Sequence, residues 1–250
     1  DAPGAPEENR VAHVRVLTYL PGDIVPNEVP KSDEFLQTVG EFCGRMTSAL
    51  AGFSDPGAAW DWDWNMKHVV RVCNEKLPYI SCPERASLAR HFIASYGEAL
   101  PSEVMDALPH SIIHSDINDT NLLFEGGRIA GVLDFGDSIR SCTVFDVGIA
   151  AAYYSLAQED PLRVFGEVLR GYLRSASLTE PELAAFFHVA YGRVLLSACF
   201  SAQSCAAEPD NEYLAHTGDP GWVVLSKLRC VTPEDALARF RRVQAETSSK

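Results

Sequence analysis

An eight-residue segment near the middle of the chain carries most of the side chains that could do chemistry. It reads HSDINDTN over residues 114–121, and the triplet DFG follows at residues 134–136. Carboxylate and amide oxygens are hard ligands of the kind that Mg²⁺ takes from proteins, few at a time, while phosphate and water fill its other positions. We therefore interpret Asn121 and Asp134 as a metal-binding pair and Asp116 as a carboxylate that faces an attacking hydroxyl.

Either motif alone is weak, because Asp and Asn also occur in turns, where they cap the chain and form Asx turns. The two together are more specific, since they match in order the His-x-Asp-x-x-x-x-Asn and Asp-Phe-Gly sequences of phosphoryl-transferring enzymes. A hairpin predicted between them would bring Asp134 to the opposite side of the metal from Asn121. The sequence therefore favours a phosphotransferase fold over an ordinary loop.

The elements that position these motifs are three short strands inside a helical chain. The strands are predicted over residues 111–114, 121–124 and 128–133, with a tight turn at Glu125–Gly127. Helices are predicted over residues 32–51, 83–100, 101–108, 143–156, 161–173, 180–207, 220–229 and 233–245. One more strand is predicted over Arg10–Leu20, ending at the turn Pro21-Gly22. The predicted class is α+β, mostly helix with one small buried hairpin.

Composition excludes several classes of function. The chain has 250 residues, of which 46% are hydrophobic, and 34 acidic residues outnumber 21 basic ones to give a net charge of −13. Phosphate contacts need clustered cations, so no nucleic-acid partner is expected. The apolar stretch Val144–Leu156 is too short and interrupted to span a bilayer, and no membrane association is predicted. Seven cysteines without a C-x-x-C pair predict reduced thiols in a cytoplasmic protein.

The motifs resemble the aminoglycoside phosphotransferase and choline kinase family, and within it hydroxylysine kinases and the kinase-like domains fused to class III aminotransferases. The resemblance rests on residues 114–121 and 132–137, on LTYLPG at residues 17–22, on DWDWNMK at residues 61–67, and on DNEYL at residues 210–214 followed by Gly221-Trp222. It spans about residues 14 to 225, which is most of the chain. It departs from many aminoglycoside kinases at Asn118-Asp119, where they have His-Pro.

The resemblance implies a role for each matching residue. Asp116 would be the catalytic base, Asn121 and Asp134 would bind Mg²⁺, and His114 would hold the loop through hydrogen bonds. The backbone of Thr18, Tyr19 and Leu20 would bind the base of GTP or ATP. Asp137, with Asp119 behind it, would contact the ammonium group of a small-molecule substrate.

Parts of the kinase fold are absent from the sequence. We find no Gly-x-Gly-x-x-Gly loop and no Val-Ala-Ile-Lys strand, which in this fold belong to an amino-terminal lobe that clamps the phosphates. Residue 1 is Asp rather than Met, which suggests a fragment or a processed chain. We therefore expect residues 1–20 to be a polar leader and hinge strand, and residues 21–250 to be the carboxy-terminal lobe. Its missing lobe would lie on the same or another chain, and the isolated piece would transfer phosphate poorly or not at all.

Several residues allow two interpretations. Arg193, in an apolar helix, would either bind a substrate carboxylate through its fork or form a structural ion pair, and the structural role is favoured. Asp146 is expected to bond the start of its helix or the catalytic loop. The Trp60–Trp64 run either lines a substrate cleft or packs, and packing is favoured.

The predicted reaction is Mg²⁺-dependent transfer of the γ-phosphoryl group of GTP or ATP to a small alcohol. The resemblance makes 5-hydroxy-L-lysine the first choice of substrate. A choline, ethanolamine or homoserine kinase is an alternative. A third hypothesis is a non-catalytic kinase-like module attached to an aminotransferase, although the intact Asp116, Asn121 and Asp134 argue against it.

Overall fold

The computed structural model describes residues 16–208 and 218–248 and shows a mostly helical chain with two small β-ladders. Its α-helices are α1 (Asp33–Leu50), α2 (Val69–Lys76), α3 (Pro83–Ala99), α4 (Ser102–Ala107), α5 (Val144–Tyr154), α6 (Pro161–Tyr172), α7 (Glu180–Ala207), α8 (Gly218–Leu228) and α9 (Pro233–Ser248). Its strands are β1 (His110–Ile113), β2 (Leu122–Glu125), β3 (Arg128–Val132) and β4 (Ile139–Cys142). The α+β class is confirmed.

Local signals fix the two helices that matter most for the site. Helix α1 begins where the Ser32 hydroxyl accepts the N–H of Phe35 at 3.1 Å, with acidic residues in the first turn. Helix α7 begins with a capping box between Thr179 and Glu182. Both helices were predicted from the sequence and are confirmed. A short helix, α2, was not predicted, because the segment after Trp64 has no clear period.

Helix α7 lies at the centre of the helices that the structure describes. It packs on α5, α8, α2, α3 and α9, and most of its side chains from Leu183 to Cys199 are buried. Among the described residues it is the helix long and apolar enough to cross a membrane, but 89% of its apolar window is buried in the core. We interpret α7 as the core helix of a folded lobe.

The strands form two separate antiparallel ladders, β1 with β4 and β2 with β3. The prediction of a single hairpin followed only by helices is therefore wrong. Strand β4, which pairs from His110↔Cys142 to Ile113↔Ile139, was missed because its sequence IRSC lacks the consecutive apolar residues that mark β1 and β2. The chain crosses from β1 to β2 through residues 114–121 and from β3 to β4 through residues 133–138, so both motifs lie in the gap between the ladders.

The expected strand over Arg10–Leu20 is not found in its described part. Residues 10–15 lie outside the described residues, and residues 16–20 are irregular and exposed, with Tyr19 at 86%. A strand needs a partner for its backbone groups, and the first pairing of this segment comes at Asp23, which bonds Phe124 in both directions at 2.8–2.9 Å. Val16 and Leu17 are therefore exposed apolar residues outside any ladder.

The closest helix pair predicts a sharp effect of one methyl group on stability. Helices α1 and α6 approach backbone to backbone at two glycines, where a Cβ on Gly40 would overlap the carbonyl of Val168 and one on Gly171 would overlap that of Gln37. We expect Gly40→Ala to lower the free energy of unfolding by about 2–3 kcal/mol, because the helices must separate. Urea unfolding monitored by circular dichroism measures this.

The matched control lies on α6 itself. A Cβ on Gly166 would meet nothing closer than the Nε of Arg239 at 3.6 Å, which is ordinary contact. Gly166→Ala should be neutral or stabilising by up to about 1 kcal/mol through helix propensity. Equal losses in the two variants would show that the contact between α1 and α6 is not the cause.

Candidate active site

The loop of residues 114–121 is held in place by a buried carboxylate at the start of α5. Asp146, 2% exposed, accepts the backbone N–H of His114 at 2.9 Å and that of Ser115 at 2.7 Å. Burial raises the pKa of Asp146, and these two N–H bonds oppose the rise. Ser115 has φ 71°, a left-handed conformation that costs about 1–3 kcal/mol and persists only where the surroundings impose it. Asp146 therefore bonds the catalytic loop, one of the two roles expected for it.

His114 connects this loop to the segment that carries Asp134. Its Nδ1 accepts the N–H of Asp116 at 3.3 Å, so the proton of the neutral ring lies on Nε2, which donates to the carbonyl of Leu133 at 2.8 Å. The ring also lies 4.9 Å from that of Phe135. His114 is fully buried and acts on the loop through hydrogen bonds, as the resemblance implied.

The carboxylate of Asp116 is fixed on both oxygens. Its Oδ2 accepts from the amides of Asn118 and Asn121, both at 2.9 Å. Its Oδ1 accepts from Nη2 of Arg193 at 2.7 Å. The side chain is 15% exposed, so it reaches solvent while its orientation is determined by the protein.

Asn121 and Asp134 present oxygens of the kind that Mg²⁺ prefers. The Asn121 amide donates to the backbone and side-chain oxygens of Asp116, and within the described residues no donor engages its Oδ1. Asp134 is exposed, has φ 60° and ψ 66°, and accepts only the Gly136 N–H, at 3.2 Å. The Asn121 carbonyl accepts the N–H of Leu133 at 2.9 Å, which places the two residues side by side.

This pair fits a magnesium ion that takes most of its ligands from phosphate and water. The described part of the chain holds no group of three or more His, Cys, Asp or Glu residues arranged for a metal. Such a group suits a site built wholly by protein, whereas Mg²⁺ commonly uses one or two protein ligands. The Asn121 Oδ1 and the Asp134 carboxylate supply that number.

Asp137 shares the electrostatic field of the site. Burial raises its pKa, and the negative charges of Asp116 and Asp134 raise it further, against the opposing effects of Arg193 and His114. The side chain remains half-buried rather than closed off. The structure thus brings Asp116, Asp134 and Asp137 together.

Arg193 is buried against this cluster. It is 2% exposed and donates from Nε to the Tyr153 hydroxyl at 3.2 Å, from Nη1 to the Trp64 carbonyl at 3.2 Å and from Nη2 to Asp116. Of its two expected roles, substrate binding or a structural ion pair, the observed contacts are those of the ion pair.

Asp119 lies toward a different neighbour. It is buried, and its charge acts on Lys31 and Tyr154. Burial lowers the pKa of Lys31 despite the carboxylates of Asp119 and Glu28. The Lys31 ammonium donates to three carbonyls of the turn that precedes α1, those of Pro26, Asn27 and Val29, at 3.0–3.3 Å.

The predicted nucleotide-binding residues Thr18, Tyr19 and Leu20 lie on the surface. Their main-chain groups make no hydrogen bond to other residues in the described ranges. Leu20 packs on the backbone of Gly131 in β3. The segment therefore lies beside the β2–β3 ladder with its polar backbone groups available.

Sequence reasoning missed residues that orient the Asp116 carboxylate. Asn118 accepts the N–H groups of Thr120 and Asn121 at 2.9 Å each while its amide reaches Asp116. This Asx turn has a sequence signal, an Asn two residues after a candidate catalytic Asp. Trp64 and Tyr153, which bind Arg193, have none, because their contacts cross between distant elements.

A helical lobe with a loop of this kind beside an Asp-Phe-Gly segment defines a kinase-like fold. Solved structures agree. The chain is similar to an aminoglycoside phosphotransferase from Alicyclobacillus acidocaldarius with a TM-score of 0.60 and 9% identity, over 93% of this chain and 71% of that one. At that identity the likeness concerns the fold alone.

The sequence itself establishes the family. Residues 2–186 match the phosphotransferase enzyme family, so the chain belongs to it. Hydroxylysine kinase of Bos taurus is 31% identical over 232 residues, covering 86% of this chain and 60% of the relative. Homoserine kinase of Zymomonas mobilis is 28% identical over 189 residues, covering 72% and 55%. The chain thus spans about 60% of the length of the hydroxylysine kinases that it matches.

The clamp on the catalytic loop predicts the effect of its removal. Asp146→Ala leaves the N–H groups of His114 and Ser115 buried without acceptors, and we expect the free energy of unfolding to fall by about 2–4 kcal/mol. Asp146→Asn, with one acceptor oxygen in place of two, should lose less. Asp106→Ala is the control, since its side chain is 71% exposed. Chemical denaturation measures all three, and a loss no larger than that of the control would contradict the clamp.

Proposed function

We propose that the chain carries the catalytic and metal-binding residues of an enzyme that transfers the γ-phosphoryl group of a Mg²⁺-bound nucleoside triphosphate to the hydroxyl of a small amino alcohol or amino acid. The observation that carries the proposal is the Asp116 carboxylate, fixed by three donors near the Asn121 Oδ1, which no described residue engages, and the exposed Asp134 carboxylate. Membership of the phosphotransferase enzyme family supports it.

In this reaction the substrate oxygen bonds to the γ-phosphorus while the bond from phosphorus to the β,γ-bridging oxygen breaks. Asp116 accepts a hydrogen bond from the hydroxyl and takes its proton as the new bond forms. Its Oδ1 has a second lone-pair direction beyond the one that Arg193 occupies. Asn121 and Asp134 would hold the metal, which neutralises charge on the phosphates when bound.

The nucleotide and the rest of the fold complete the proposal. The main chain of Thr18, Tyr19 and Leu20, with its unbonded polar groups, would bind the base of GTP or ATP. The described residues contain no Lys–Glu pair of the phosphate-clamping kind. We propose that an amino-terminal lobe supplies it, with residues 1–20 leading from that lobe and residues 21–250 forming the carboxy-terminal one.

The substrate class follows from charge and from the relatives. A half-buried acid such as Asp137, beside Asp116 and Asp134, suits the ammonium group of an amino alcohol or amino acid. Hydroxylysine kinases are among the most similar relatives, so 5-hydroxy-L-lysine is the first choice. Homoserine is the alternative that a specific observation favours, through the homoserine kinase match.

The direct test measures nucleoside diphosphate release by the natural polypeptide that contains this chain. Mg-GTP and Mg-ATP are each supplied with 5-hydroxylysine, homoserine, choline or ethanolamine. We expect release that depends on one of these alcohols and falls by about 10²–10⁴ in Asp116→Asn, because the hydroxyl loses its proton acceptor. Asp106→Asn, an exposed acid, is the control. Equal release by Asp116→Asn and wild type would rule out the proposed base.

A second test addresses the ammonium contact. Because the pKa of Asp137 is raised, its charge is lost at a higher pH than that of an ordinary carboxyl group. The KM of wild type for the amino substrate should therefore rise as the pH falls toward the acid range, with little change in kcat. Asp137→Asn should show a higher KM that no longer depends on pH there. A variant whose KM follows the wild-type profile would refute the contact.

A further inference from the structure

We propose that Arg193 is a positioning residue for the reaction. It fixes the orientation of the Asp116 carboxylate and joins it to the Trp60–Trp64 segment, a role that rests on the proposed phosphoryl transfer. This assigns the buried guanidinium neither to substrate nor to packing alone. Its contacts, burial and stacking carry the inference.

The burial of the Arg193 guanidinium has a cost in free energy. Arg193 is 2% exposed in the middle of α7, the core helix. A guanidinium removed from water needs a paired charge and filled hydrogen-bond directions. Within the described residues its salt-bridge partner is Asp116, at 2.7 Å. Burial works to lower the pKa of Arg193, but interactions with Tyr153 and Asp116 outweigh it and raise the value.

The Arg193 guanidinium is held in a single orientation. Its centre lies 4.7 Å from the ring of Trp64 and 5.2 Å from that of Tyr153. Its edge is fixed by the Trp64 carbonyl and by the Tyr153 hydroxyl, which is itself 3.2 Å from the Ser197 hydroxyl. Aromatic stacking and fixed hydrogen bonds together prevent rotation, so Nη2 can point in only one direction.

Arg193 in turn restrains the Asp116 carboxylate. Arg193 engages Oδ1 of Asp116, and the two Asn amides engage Oδ2. Without Arg193 the amides would hold one oxygen only, and the carboxylate could turn about that contact. Since a misplacement of about 1 Å can cost on the order of 10² in rate, loss of this restraint acts on the chemical step. Substrate binding through other groups should change little.

The same residue restrains the aromatic segment. Its bond to the Trp64 carbonyl fixes one end of Trp60–Trp64, and the Trp60 indole donates to the Ser138 carbonyl at 3.1 Å at the other end. Ser138 follows Asp137 directly in the chain. Arg193 thus couples the segment beside Asp137 to the catalytic carboxylate.

The pairing is tested without any assay of activity by a double-mutant cycle on thermal unfolding. Arg193→Met, Asp116→Ala and the double variant are compared with wild type. Arg193→Met should lower the melting temperature by several degrees, and its effect should shrink by half or more in the Asp116→Ala background, where no carboxylate is left unpaired. Additive shifts would overturn the proposal.

Kinetics separate positioning from a purely structural role. Per folded molecule, Arg193→Met should lower kcat by about 10² or more while the KM for the alcohol stays within about threefold. Arg193→Lys keeps the charge and much of the stem, and should recover at least about tenfold of the loss; it also serves if the Met variant fails to fold. Arg170→Met, which breaks pairs with Glu167 on α6 and Glu246 on α9, is the matched control with unchanged kcat.

The outcomes are distinguishable. A wild-type enzyme that phosphorylates one of the alcohols, with unchanged kcat in Arg193→Met, overturns the positioning role and leaves the proposed function intact. A wild-type enzyme that phosphorylates none of them overturns both. Coupled melting shifts together with a loss confined to kcat are the result we expect.

Discussion

The geometry of the candidate site depends on one buried interaction, the acceptance of two successive backbone N–H groups by the carboxylate of Asp146. These bonds hold Ser115 in a left-handed conformation, and this turns the chain so that Asp116 faces outward while His114 stays in the core. Helix α5 is completely buried, so the carboxylate sits on a rigid support. The loop of residues 114–121 is thereby attached to helix α5.

Further hydrogen bonds connect the loop held by Asp146 to the DFG segment. His114 donates to the carbonyl of Leu133, and the Leu133 N–H donates to the carbonyl of Asn121. These two hydrogen bonds join the loop to the DFG segment. Charges are then divided among the residues. Asp116 is neutralised by Arg193, whereas Asp134 has no cationic partner among the described residues and Asp137 is weakly acidic for an Asp. In the proposed reaction, Asp134 would therefore attract the metal and Asp137 the ammonium group.

Much of the fold could be predicted because its signals are local. Caps such as Ser32 and Thr179, apolar periodicity and the paired motifs each lie within a few residues, and helices α1 and α7 and the hairpin were found from them. Strand β4 was missed because IRSC lacks the adjacent apolar residues found in β1 and β2. The strand expected up to Leu20 failed because pairing depends on a partner, which alternation alone does not specify.

At the site, too, local patterns could be read from the sequence, whereas long-range contacts could not. Spacing identified Asp116, Asn121 and Asp134 as candidates, but it could not show that Arg193 would meet Asp116, since 77 residues separate them along the chain. Both sequence-based interpretations of Arg193 were reasonable for a lone cation in an apolar helix. The ion pair itself becomes visible only in the packing of α7 against α5 and the Trp64 segment.

The two β-ladders share no hydrogen bond with each other, and both connections between them pass through the site. A small rotation of one ladder relative to the other would change the separation of Asp116 and Asp134 without breaking a single strand pair. Such a rotation would be opposed by the hydrogen bond from His114 to Leu133, which joins the two connections, and by that from Asn121 to Asp116 within the first of them. These few side-chain bonds, rather than strand pairing, would therefore set the separation of the two carboxylates.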